Sequence, residues 1–135
     1  MKKIGHLSIL LIALLAVFSC KKDKNTDLLV GKWDLDSMRF ELFENDVLSE
    51  SESSTDEFDY LEFTSSGNFY VYDSGTRVED AEWRRNGDIL TLIYGVNDEE
   101  DLTIVTLTNT KLVVKIEDTY QQWREVITVY LTRRN

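Results

Sequence analysis

Residues 61–72 read Leu61-Glu62-Phe63-Thr64-Ser65-Ser66-Gly67-Asn68-Phe69-Tyr70-Val71-Tyr72. Leu61 and Phe63 flank a polar Glu62. Four turn-forming residues follow, and then a second short run rich in aromatics. Gly and Asn accept positive φ, so Ser65-Ser66-Gly67-Asn68 is a hairpin turn between two antiparallel strands. Period-two alternation of this kind puts one side of each strand in a core and the other in solvent.

The same alternation extends both ways from this hairpin. Segments 32–43, 59–64, 69–72, 77–84, 89–94, 102–108, 112–117 and 125–132 alternate, or carry the Val, Ile, Thr, Tyr, Phe and Trp that suit a pleated surface. Asn86-Gly87 marks a second tight turn and Thr108-Asn109-Thr110 a third short connection. Short connections make successive strands antiparallel neighbours. The pattern predicts an all-β fold, a small antiparallel up-and-down β-barrel of about eight strands, since closure removes the free edges of a meander.

In the first strand Trp33 and Leu35 share one face, and then Met38, Phe40 and Leu42 take over. That change of parity predicts a bulge near Ser37. The inner set continues through Leu61, Phe63, Ala81, Trp83, Leu90, Leu92, Leu112, Val114, Ile116, Ile127, Val129 and Leu131.

A chain of 135 residues has room for one domain. Its net charge of -10 opposes binding to nucleic acid, whose phosphates demand clustered Lys and Arg. There is one Cys, Cys20, and one His, His6. Those counts exclude a disulfide framework, a Cys/His zinc site and a His-based triad in the folded part. No Gly-rich phosphate loop occurs. No cofactor, no catalytic residue and no metal ligand is expected, so the chain reads as a non-enzyme.

The N-terminus carries an address. Lys2 and Lys3 precede an apolar run, 7–18, too short for a membrane span of about 20 residues but right for a signal-peptide core. Val17-Phe18-Ser19-Cys20 resembles the lipobox of bacterial lipoproteins. That resemblance implies removal of 1–19 and acylation of Cys20. Loss of Lys2 and Lys3 would take the charge from -10 to -12. Segment 20–27 then reads as lipid anchor and polar tether, and 28–135 as the folded domain. Lys21-Lys22-Asp23 resembles the start of many lipoproteins of Bacteroidetes-type bacteria. The implied location is the cell envelope, with a lipid anchor in the outer membrane, facing the periplasm or the cell surface.

Leu29-Val30-Gly31-Lys32-Trp33 opens the first strand with a Gly-x-Trp, which is similar to the start of lipocalin-like domains. The Phe63–Phe69 hairpin resembles one common in bacterial lipocalin-like lipoproteins. The resemblance implies a closed barrel whose first-strand Trp33 plugs one end, with Gly31 allowing close approach. It also implies a small hydrophobic ligand inside. Candidate pocket-lining residues are Phe63, Trp83, Leu92, Val114 and Val129, with Trp123 a further aromatic. Fourteen aromatics remain after residue 19 (three Trp, six Tyr and five Phe), enough for a pocket or for a core.

Two functions stay open at this point. One is binding of a small apolar molecule in the barrel. The other is a protein-interaction or inhibitor module with a filled barrel that engages a macromolecule through its loops. The protein partner is unknown in either case. Segment 41–59 carries eight acids and reads as a long loop at the barrel mouth, where it would disfavour anionic ligands and favour neutral or cationic ones. It lacks the spacing of a Ca²⁺ loop. Asp98-Glu99-Glu100-Asp101 reads as a second acidic turn, and Arg84-Arg85 and Arg133-Arg134 as solvated ends.

Overall fold

The computed structural model describes residues 27–135. Segment 1–19, Cys20 and the tether up to residue 26 lie outside the described residues. Nine strands run in order: β1 (Gly31–Glu44), β2 (Val47–Ser54), β3 (Tyr60–Phe63), β4 (Asn68–Asp73), β5 (Thr76–Asn86), β6 (Ile89–Gly95), β7 (Asp98–Leu107), β8 (Lys111–Tyr120) and β9 (Trp123–Arg133). Every pairing between them is antiparallel. β9 returns to pair with β1 over Trp33–Glu44, which closes an eight-stranded barrel. Among the described residues no helix is long and apolar enough to cross a membrane.

The strand beyond the expected eight is β2. It pairs with the far half of β1, Met38 against Ser54 through to Glu44 against Val47. β3 then pairs with the near half, Gly31 against Phe63 to Asp34 against Tyr60. β2 and β3 are thus two pieces laid along one edge of β1, separated by the link 55–59. The segment expected to be a loop is therefore half of a hairpin. It forms because β1, at 14 residues, outruns β3 and leaves backbone groups that need a partner. The acidic turn expected at 98–101 is likewise strand, paired with Thr91–Gly95 of β6.

The bulge expected near Ser37 is present, with register shifting between Leu35 and Ser37 opposite β9. It lets Trp33 and Leu35 on one side, and Met38 on the other, all face the interior. Leu29, Trp33, Phe63, Phe69, Trp83, Leu90, Leu112 and Leu131 are buried in one cluster. Apolar burial of this extent supplies the main stabilisation of a small domain.

The two poles differ. One gathers the start of β1, the end of β9 and the turns after β3, β5 and β7. Here Leu29 and Trp33 are fully buried, and the Trp33 indole Nε1–H donates to the Leu29 carbonyl at 2.9 Å. Arg133 donates to the carbonyls of Leu28, Val30 and Asn109 and lies over the Trp33 ring. Arg85 pairs with Asp27 at 2.7 Å, with both side chains mostly buried. This pole is closed. The opposite pole carries the turns after β1, β4, β6 and β8.

Candidate functional site

Away from Trp33 the barrel interior is hollow. A cavity of about 380 Å³ is walled by apolar side chains of all eight barrel strands, with Leu61, Phe63, Phe69, Leu92, Val114 and Val129 among them. That volume lies within the range of small-molecule sites. At roughly 30 Å³ per water it would hold about a dozen waters. The sequence brings these residues together because each occupies an inner-face position of its strand and the register aligns them. Leu112 faces Leu131, Val114 faces Val129, and Leu61 faces Val71.

Of the residues marked in the sequence, Phe63, Leu92, Val114 and Val129 lie on the cavity wall. Trp83, expected there, does not. It is buried below the cavity, its ring edge-on to Phe63 at 5.7 Å and its Nε1–H donating to the Thr64 carbonyl at 3.0 Å. The polar N–H of a buried indole needs an acceptor, and the β3–β4 turn provides one there. Trp123 starts β9 beside the β8–β9 turn and is likewise off the wall. Trp33 is at the closed pole with Gly31, whose φ is +139° and whose missing Cβ leaves room for the Arg133 guanidinium.

The mouth is polar in one sense only. Glu57, Glu79, Tyr94 and Glu100 join the wall there, with Met38, Phe58 and Val78. The Tyr94 hydroxyl donates to Glu79 Oε1 at 2.6 Å. Burial, that hydrogen bond and the charges of Glu79, Glu100 and Asp98 push the Tyr94 phenol well above its usual range. Burial, together with Glu79, Asp118 and Asp98, pushes the Glu100 carboxyl up from its usual value. Among the described residues, Glu100 has no hydrogen-bonding or ion-pair partner. No group of three or more potential ligands among the described residues could hold a metal ion.

Sequence reasoning missed Glu79, Tyr94 and Glu100. Parity would have found all three. Glu79 stands two residues before inner Ala81, Tyr94 two after inner Leu92, and Glu100 two before inner Leu102. Reading 98–101 as a turn started the strand four residues too late.

Residues 29–114 match the model of the lipocalin-like domain family. No curated protein matches the chain. Among solved structures, a complex of bovine odorant binding protein with a selenium-containing odorant is similar, at 17% identity over 80% of this chain and 71% of that chain, with a TM-score of 0.45. A deswapped triple mutant of bovine odorant binding protein is similar at 15% identity over 80% of this chain and 75% of that chain, with a TM-score of 0.44. The family match spans more than half of the sequence, and the chain belongs to the lipocalin-like domain family.

Proposed function

We propose that this protein holds a small apolar molecule inside its barrel and does so on a lipid anchor at Cys20. The observation that carries the binding function is the cavity itself, about 380 Å³ of apolar-walled space in a domain that has closed its other pole. Protein interiors normally pack to the density of organic crystals, so space of this size is costly unless something fills it. A filled barrel acting only through its loops does not need this space. Binding is the simpler reading, since residues 27–135 hold neither an imidazole nor a thiol for nucleophilic acyl transfer.

The anchor rests on the sequence. The apolar run 7–18 ends at Ser19-Cys20, the lipobox-like site, and the seven residues 21–27 precede the domain. Acyl chains contribute about 0.8 kcal/mol per buried CH₂, so more than one chain gives stable attachment. The protein would then work at the outer membrane of a Bacteroidetes-type cell envelope. Native mass spectrometry of the protein purified from its own cell tests the binding function. A retained small molecule, lost on organic extraction, is expected. A barrel that arrives empty and also binds no apolar dye would overturn it.

A further inference from the structure

Resting on the binding function proposed above, we infer that the ligand is an apolar molecule with a cationic head, an amine or its like, whose charge stops at the mouth against Glu79 and Glu100.

Register divides the barrel's charges between its two faces. Glu79 faces Val71, and Glu100 faces Leu92, so both carboxylates belong to the inner surface. Asp118 and Glu125 face each other two positions beyond the inner pair Ile116 and Ile127, so they continue the same surface outward. Glu57, from the link between β2 and β3, joins the wall beside them. The basic side chains go elsewhere. Arg77 lies over Tyr70 on the outer face of β4, and Arg124 over Phe43. Arg84 pairs with Glu99, the outward neighbour of Glu100. Two arginines do occupy inner-face positions, Arg85 opposite Leu90 and Arg133 opposite Trp33. Both sit at the closed pole, and both are engaged there, Arg85 by Asp27 and Arg133 by carbonyls of the first segment.

The cavity therefore presents an apolar floor and an acidic rim with no counter-charge of its own among the described residues. Tyr94 satisfies one oxygen of Glu79, while Glu100 remains unpartnered, half-buried and crowded by like charge. An anion entering here would meet repulsion in a partly desolvated site, where screening is weak. A neutral molecule would gain only the apolar contact. A cation would gain both, and would relieve the repulsion between Glu100 and Glu79. The rim was expected from the acidic segment 41–59. The wall carboxylates come instead mainly from β5 and β7.

The test is competition against a neutral apolar dye with decylamine, decanol and decanoate, which share one chain and differ in the head. Decylamine is expected to bind at least about tenfold more tightly than decanol, with decanoate weakest. Added salt should narrow the gap between amine and alcohol. In the Glu79→Gln/Glu100→Gln double variant the amine-to-alcohol ratio should fall toward one. In Glu99→Gln, on the outer face, the ratio should hold. Should the double variant fail to fold, the wild-type ratio and its salt dependence still decide. Equal binding of amine and alcohol, or best binding by decanoate, overturns the cationic ligand and leaves the binding function standing. Failure of all three overturns both.

Discussion

The Arg133 guanidinium lies 4.2 Å from the centroid of the Trp33 indole, so the last strand caps the first at the closed pole. Cation–π contact of this kind contributes about 0.5–2 kcal/mol, more when water is excluded. The same guanidinium satisfies carbonyls of the entering segment at Leu28 and Val30. Trp33→Ala removes the indole, its hydrogen bond to Leu29 and the surface under Arg133. A loss of about 3–5 kcal/mol is expected, measured by chemical denaturation. Gly31→Ala is expected to destabilise as well, because its φ of +139° disfavours a side chain and the new Cβ would meet the guanidinium. An unchanged unfolding midpoint in Trp33→Ala would show that the closed pole does not depend on the indole.

Filling the cavity should separate binding from stability. Val114→Phe adds volume to the wall between Leu112 and Ile116, at a position facing the hollow. Over-packing a tight core costs about 1–3 kcal/mol, but here the ring has space to enter. The expected outcome is a melting temperature close to wild type with loss of dye binding. Retained binding at wild-type affinity would place the ligand elsewhere.

Glu100 gives the rim a pH signature. Burial first, and then Glu79, Asp118 and Asp98, raise its carboxyl in the folded state, with Tyr94 and its bonded Glu79 on the neighbouring strands. In the unfolded chain it titrates at the ordinary value. A raised folded value means that the native state binds the proton more readily. This group's contribution to stability is therefore fully present below the ordinary carboxylate value, and it is lost as pH rises through the raised one. Glu100→Gln should accordingly melt higher than wild type at neutral pH. The difference should shrink as the pH falls through the raised value and be gone by about 4, where the carboxyl is protonated in both states. A variant that melts lower than wild type at neutral pH would show that the Glu100 charge is not a burden.

The anchor is tested separately. Cys20→Ala should leave the protein unprocessed or release it from membranes. Fractionation of that variant with membranes, cleaved as in wild type, would show attachment by other means.

Sequence alternation made most of the barrel legible, since burial on one face of a strand writes apolar residues at every second position. Phe63, Leu92, Val114 and Val129 are visible for that reason. β2 is not. Its Ser and Glu residues are almost all exposed, and it is held by hydrogen bonds to β1 rather than by burial, so no apolar pattern marks it. The acidic residues of β7 were hidden for a related reason. Near the mouth the inner face no longer needs apolar side chains, so the alternation continues in geometry while it vanishes from the composition. Trp83 was misplaced because parity gives the face of a residue but not its height along the barrel axis.

Closure by β1 and β9 has a consequence in time. Arg133 and Val30, joined by a hydrogen bond, are 103 positions apart in the chain. Every residue between them must be available before the seam can zip, and contacts of such separation make folding slow. A chain delivered N-terminus first holds its opening strand, with Trp33 uncovered, until the final strand arrives. During that interval both seam edges are open to other chains. Loss of the last three residues would strip Arg133 from Trp33 and uncover the closed pole, while the rest of the seam, Asp34–Glu44 against Trp123–Thr132, would still hold the barrel shut.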